Sequence, residues 1–328
     1  MREHIMRDAY NRVIDYMRVS VTDRCNLRCG YCMPEGISLI SHDDVLRYEE
    51  IIRLCAAAAR AGVRTIKVTG GEPLARKGCV DFIKTLKTLP GVRQVTLTTN
   101  GVLLEPDDID ELAGCGLDGL NISLDSLNPE TYRRITGRGE FHRVWRAFES
   151  AVDAGLRVKI NCVPIKGVND GEIIHIAGLA EAFPVDVRFI ELMPAGAGGG
   201  FRGIPGGEIL RIISGEYPGL RPDGSPRGFG PARYFSGGGL KGSIGLIDPV
   251  THSFCEGCNR LRLTSDGQLK LCLYHDDSLD LRGMLRTGAG GDEIEAAIKR
   301  AACQKPKAHL FGEEDSGGGI KNMPQIGG

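Results

Sequence analysis

The sequence predicts an α/β fold: an incomplete (β/α)6, TIM-like barrel followed by a C-terminal extension that carries a second cysteine cluster. Three observations predict it. Strand-like and helix-like segments alternate over residues 15–193, the strands have a period-two polarity pattern, and the composition turns to Gly and Pro after Met193.

Six strands are expected at 15–22, 64–69, 94–100, 119–125, 156–164 and 187–193, with helical patterns between them. Phe82, Ile83, Leu86 and Leu89 form one apolar helical face, and Phe141, Val144, Trp145, Phe148 and Val152 form another. Six such units describe a parallel sheet, and a closed eight-stranded barrel would need two more. Within the strands, Ile66 and Val68 oppose Lys67 and Thr69. Leu120, Ile122 and Leu124 oppose Asn121, Ser123 and Asp125, and Val158, Ile160 and Cys162 oppose Lys159 and Asn161. The apolar face is expected under the helices. The polar face then points into an interior that Val, Ile and Leu would ordinarily fill, which predicts a ligand-filled cavity rather than a dry core. A few satisfied core polar groups are the alternative.

The barrel is assigned to residues 10–194. A Gly/Pro-rich connector, 195–242, is read as irregular apart from a short helix near 208–213. The extension, 243–328, holds a strand at 243–247, a hairpin of 260–264 with 268–273 around Ser265-Asp266-Gly267, a helix at 292–302 and a flexible tail ending in Gly327-Gly328.

Hydrophobic residues make up 41% of the 328 and charged residues 25%, as in globular proteins, and the net charge of −1 creates no field toward nucleic acid or an anionic membrane. No apolar run approaches the roughly 18 residues of a membrane span, and the N-terminus has no apolar signal core, so a cytoplasmic location is expected.

Six of the 11 cysteines fall in two tight clusters, which in a long chain reads as metal ligation rather than a disulfide framework. Cys55, Cys79, Cys115, Cys162 and Cys303 are scattered and read as small core residues or inert thiols. The first cluster, Cys25, Cys29 and Cys32, has the spacing C-x3-C-x2-C and directly follows the first strand, at the mouth where barrel active sites form. A 4Fe–4S cube normally takes four thiolates, so three leave one iron open to a ligand. A zinc site completed by a distant His is the alternative. Tyr31, beside the third Cys, could lie flat against an adenine or simply pack.

With Thr69-Gly70-Gly71-Glu72-Pro73 about 40 residues after the cysteine loop, the chain resembles the radical S-adenosylmethionine superfamily. The adjacent glycines are expected to let backbone approach a ligand, and Glu72 to accept from an ammonium group. The resemblance implies that S-adenosylmethionine chelates the open iron and that one electron breaks its sulfonium bond. The resulting 5′-deoxyadenosyl radical then abstracts hydrogen from the substrate.

The second cluster, Cys255, Cys258 and Cys272, reads C-x2-C-x13-C, with the hairpin turn returning Cys272 to the pair. Cys303 or His275 could close a zinc or iron–sulfur site there. The sharper reading is a second 4Fe–4S cube whose open iron touches substrate. Arg260 and Arg262 share one hairpin face, Arg18 lies on the first strand, and Lys67 and Lys159 point inward. Any one of these could be a solvated or paired charge. Five converging on one mouth suit a polyanion such as a nucleoside triphosphate. No Walker loop is present, so ordinary phosphoryl transfer is not indicated.

Both cysteine patterns together resemble the GTP 3′,8-cyclase family, which opens molybdenum cofactor biosynthesis. The likeness runs through Arg18 to Asn26, Thr69 to Pro73, Thr98-Thr99-Asn100-Gly101, Asn121 to Asp125, Lys166 to Asp170, Arg188 to Met193 and the terminal Gly327-Gly328. It implies two 4Fe–4S clusters and S-adenosylmethionine as cofactors. Tyr31, Gly71, Ser123 and Met193 would contact S-adenosylmethionine. Arg18, Lys67, Thr98, Lys159, Arg260, Leu261 and Arg262 would bind GTP, with Arg18, Arg260 and Arg262 also catalytic. Hydrogen abstraction at ribose C3′ and addition to guanine C8 are the implied steps, with the Gly-Gly tail reaching the site. The implied partners are an external one-electron reductant and a cyclic pyranopterin monophosphate synthase that receives the product, and a homodimer is allowed. Two other readings compete: a peptide-modifying radical enzyme that uses the second cluster as an electron conduit, and a non-enzymatic electron carrier or zinc-stabilised binding module. The glycine motif and six β/α units weigh against the second, because a carrier needs no barrel.

Overall fold

Six strands of the computed structural model, which describes residues 5–33, 36–225, 227–228, 230–311 and 323–326, coincide with the six expected windows. They are β1 (Tyr16–Ser20), β2 (Thr65–Thr69), β3 (Gln94–Thr99), β4 (Gly119–Ser123), β5 (Val158–Cys162) and β6 (Asp186–Ile190). All pair in parallel in chain order. Several end before their windows do, and the surplus residues, such as Val21, Thr22, Asp125 and Met193, become loops at the C-terminal mouth.

The polarity pattern explains why the sheet curls around its polar face. Ile66, Val68, Leu120, Ile122 and Ile160 are fully buried beneath the helices. In the helix Phe141–Asp153, Val144 and Phe148 are fully buried, and Phe148 meets the Phe183 ring edge-on with centroids 5.0 Å apart. Cys55, Cys79 and Cys162 are buried as expected, Cys115 is half-buried and Cys303 is exposed.

The segment after residue 194 departs from its expected form. It was read as an irregular connector, yet β7 (Leu220–Asp223) and β8 (Arg233–Gly237) form an antiparallel pair that continues into β9 (Ser243–Ile247), and the helix there runs Gly206–Glu216. Glycine-rich composition obscured strands whose pairing is set by neighbours distant in sequence. The expected hairpin forms from β10 (Arg260–Leu263) and β11 (Gln268–Lys270), with Gly267 at φ +83° in its turn, and β12 (Ser278–Asp280) pairs with β11.

The extension is continuous with the barrel sheet. β9 adds in parallel to β6 and β10 adds in parallel to β1. The order is β12-β11-β10-β1-β2-β3-β4-β5-β6-β9-β8-β7, so the central parallel run gains its two missing strands, one at each edge. A six-stranded arc would expose two rows of unpaired backbone groups, and the extension pairs both. Its helix Gly291–Cys303 packs on the first helix, Tyr48–Ala61, where Arg60 Nε donates to Glu295 Oε2 at 3.0 Å. Among the described residues no helix is long and apolar enough to cross a membrane. Gly327 and Gly328 lie outside the described residues, although Met323 lines the interior cavity.

Candidate active site at the barrel mouth

The first cysteine loop is built on the end of β2. Gly71 N donates to Thr22 O at 2.7 Å and Glu72 N to Arg24 O at 2.8 Å. A Cβ at Gly71 would stand 2.4 Å from Arg24 O, so only glycine allows this contact. The glycine pair thus packs on the cysteine loop itself, rather than only opening space for a ligand. Glu72 also differs from expectation. It is fully enclosed, and its oxygens accept from Leu74 N (3.0 Å), Thr99 Oγ1 (2.7 Å) and Asn100 N (2.7 Å), tying the ends of β2 and β3 together. It has no face open to an ammonium group. Burial pushes its carboxyl up to about 7 in spite of those bonds.

Cys25, Cys29 and Cys32 face one another closely enough to repel as thiolates. Burial raises all three thiols. Cys32, Asp125 and Cys25 raise Cys29 further, while Cys25 and Asp125 help push Cys32 up to about 12. A thiolate trio in this setting calls for a bound cation. Among the described residues no three His, Cys, Asp or Glu side chains are close enough to hold one metal ion. A cube takes each thiolate on a different iron, so the trio suits a cluster. Tyr31 Oη donates to Asp125 Oδ2 at 2.6 Å, and burial raises Asp125 to about 6. Gly71 lies under the loop, Ser123 ends β4 outside the cavity wall, and Tyr31 and Met193 line the cavity.

That cavity, about 260 Å³, has Cys255, Cys258 and Cys272 in its wall, while the first cysteine loop reaches it through Tyr31 and none of Cys25, Cys29 and Cys32 lines it. Arg18, Lys67, Thr98, Arg260 and Arg262 also line it; strand parity predicts this for Lys67, and Arg260 and Arg262 share the face expected of them. Arg18 Nε is buried with no hydrogen-bond partner, and Lys67 has no hydrogen bond or ion pair among the described residues. Burial drives Lys67 well below its usual range, and Arg188, Arg18, Lys159 and Arg260 add to the effect. Arg260 stacks on Phe254 with 4.7 Å from guanidinium carbon to ring centroid. The interior therefore holds buried positive charge that wants an anion.

Two of the expected GTP contacts, like Gly71 and Ser123, lie outside the cavity wall. Lys159 does not line the cavity: Asp186 holds its ammonium at 2.9 Å, with Tyr234 Oη at 3.1 Å and the Arg227 carbonyl completing the set. Leu261 is the register partner of Met17 and is fully buried in the apolar layer, so its side chain faces away from the cavity. Cys303 is exposed and His275 Nε2 is matched with Ala308 O at 3.0 Å; neither is in the cavity wall.

Sequence reasoning missed four residues. Arg188 lines the cavity from β6, donating to Asn161 Oδ1 at 2.9 Å and to Asn121. A Cβ at its register partner Gly245 would stand 2.8 Å from Arg188 Cγ, so the glycine makes room for the arginine. Alternation with Val187 and Phe189 was the signal available for it. Lys305, Arg12 and His309 gather around the second trio. Buried Lys305 donates to the carbonyls of Arg260 (2.9 Å) and Leu271. Burial works against the Cys258 thiolate, but Arg260 and Lys305 outweigh it and lower the thiol. Nothing in the local sequence marks these three.

Residues 19–180 match the radical SAM superfamily, and residues 185–311 match Molybdenum Cofactor Synthesis C. The chain is 46% identical over 98% of its length to the whole of the GTP 3′,8-cyclase of Heliobacterium modesticaldum, and 45% identical over 98% to the whole of that of Moorella thermoacetica.

The chain belongs to the GTP 3′,8-cyclase family.

Its fold is also similar to that of Streptococcus suis SuiB bound to S-adenosylmethionine, with a TM-score of 0.66 over 97% of this chain and 79% of that one. At 13% identity this likeness concerns the fold alone. Membership of the family makes the chain a radical S-adenosylmethionine enzyme, and the parallel, partly closed sheet is the one this superfamily uses.

Proposed function

We propose that the chain converts GTP to (8S)-3′,8-cyclo-7,8-dihydroguanosine 5′-triphosphate, the first step of molybdenum cofactor biosynthesis. The observation that supports this reading is the cationic cavity beside Cys255, Cys258 and Cys272, in which Arg18 Nε and Lys67 have no hydrogen-bond partner among the described residues. Cys25, Cys29 and Cys32 would hold one 4Fe–4S cluster, and Cys255, Cys258 and Cys272 a second. When bound, the first cluster and S-adenosylmethionine would supply a 5′-deoxyadenosyl radical; loss of the ribose C3′ hydrogen would let C3′ bond to guanine C8, and the radical left on the guanine ring would take up one electron and one proton, so that the product is an isomer of GTP.

The chain's own residues bind and orient. Arg18, Lys67, Arg260 and Arg262 would neutralise the triphosphate, Thr98 would hydrogen-bond it, and Arg188 adds a further donor beyond the expected set. Arg18, Arg260 and Arg262 are the catalytic candidates because they would touch the reacting nucleotide. Lys159 would join only after leaving Asp186, and Leu261 could contribute its main chain alone. Tyr31, Gly71, Ser123 and Met193 would surround S-adenosylmethionine, with Asp125 holding the Tyr31 ring in place. Ala195, Gly230 and Pro231 from the connector cover part of the cavity and would help keep water from a reactive intermediate. An external one-electron reductant, transfer of product to a cyclic pyranopterin monophosphate synthase, a homodimer and a cytoplasmic setting complete the proposal.

Anaerobic reconstitution followed by addition of GTP and S-adenosylmethionine tests it. The expected result is 5′-deoxyadenosine formed only with GTP present, together with a pterin precursor. Cofactor cleavage with a peptide and none with GTP would overturn the reading. Iron near four rather than about eight per chain would overturn the two-cluster part.

A further inference from the structure

The segment that follows helix Gly291–Cys303 is drawn against the second cysteine trio by one side chain. Arg12 is buried and locked by Asp8, with Nε to Oδ2 at 2.5 Å. Its guanidinium donates at once to the carbonyls of Cys255 (2.8 Å), Pro306 (2.7 Å) and Lys307 (2.9 Å). The loop that starts the trio is thereby stapled to the stretch that carries His309.

The His309 ring is engaged at one nitrogen. Nδ1 accepts the Phe311 backbone N–H at 3.2 Å, which puts the proton of the neutral ring on Nε2. Nε2 is buried and completes no hydrogen bond of normal geometry among the described residues. His309 and Cys255 line the same cavity, and the Cys255 sulfur and the Pro249 carbonyl are both acceptors near the ring. A buried donor left without a well-formed hydrogen bond is destabilising. The fold holds this one in place beside a sulfur, where a thiolate or a cluster sulfide is a stronger acceptor than a neutral thiol.

We propose that His309 is a positioning residue of the second cluster, whose Nε2–H donates to the sulfur shell at Cys255 and raises the reduction potential of that cluster. The proposal rests on the two-cluster reading above. An N–H donor draws charge from the sulfur and so favours the more negative, reduced state, which is one of the levers a protein has on such a cluster. His309 is not a ligand in this account, because three thiolates and an open iron already define the site.

The test uses the full chain with Cys25→Ala, Cys29→Ala and Cys32→Ala, so that only the second trio can hold iron. Reduction is followed by electron paramagnetic resonance in a redox titration without GTP or S-adenosylmethionine. His309→Phe is expected to keep about four irons per chain and to shift the midpoint to more negative potential. His309→Gln keeps an N–H within reach and is expected to recover most of the shift. An unchanged midpoint in His309→Phe overturns the proposal. Loss of iron in both His309 variants, with iron retained by their parent, also overturns it by making His309 a ligand or a structural element. A parent that binds no iron defeats the two-cluster reading itself, and the proposal with it.

Discussion

Arg18 and Arg262 are register partners across the parallel pair of β1 and β10, and Lys67 partners Arg18 on its other side. Adjacent strands lie about 4.8 Å apart, so three cations enter the cavity in one row. Like charges placed side by side on a sheet are destabilising. The arrangement is therefore tolerated for what it binds.

Lys67→Met should reverse that balance. Without nucleotide, the variant is expected to melt at a higher temperature than the parent, because a desolvated, unpaired ammonium has been removed. With GTP, the parent should gain about 2.7 kcal/mol at a hundredfold excess over its dissociation constant, and the variant clearly less. Thermal melts with and without GTP measure both. Equal GTP stabilisation of the two proteins would remove Lys67 from the substrate site.

Asp186 predicts the acid behaviour of the connector side. Burial raises its carboxyl, but Lys159, Ser243 and Arg227 outweigh this and hold it below the usual aspartate range. The native state then binds fewer protons than the unfolded chain, so its contribution is present above about pH 4 and is lost as pH falls below that. Asp186→Asn should remove this part of the acid sensitivity and cost about 3 kcal/mol near neutral pH, since Lys159 and Arg227 lose a buried counter-charge. Urea melts across pH 3–7 read both effects.

Gly71→Ala should separate the loop from the fold. The added carbon meets Arg24 O at 2.4 Å, so the Cys25 loop must shift while the core strands need not. The expected outcome is a folded protein that retains second-trio iron but loses iron from the first. Iron analysis and circular dichroism check it.

Phe148→Ala tests the outer layer. Phe148 is fully buried and meets Phe183, so truncation should cost about 3–5 kcal/mol and lower the denaturation midpoint without altering either cysteine trio. Retained iron content with a reduced midpoint is the expected pair of results.

The six barrel strands were legible because each is short, hydrophobic on one face and bounded by turn residues, and Lys67 faced inward by simple parity. Glu72 was misread because motif position says nothing about which neighbouring strand will use its oxygens. Lys159 had the correct parity, yet Asp186 on the next strand takes its charge.

By itself the sequence determined the two cysteine trios, the β/α alternation and the polar lining, since these depend on spacing and local periodicity. Only the tertiary structure decided that β9 and β10 join opposite edges of the barrel sheet, and that Arg12 ties Cys255 to Pro306 and Lys307. The contacts of β10 with β1 and of Arg12 with Cys255 and Pro306 join residues more than two hundred positions apart, and hydrogen bonds closed over such distances leave no periodic trace in the chain that makes them.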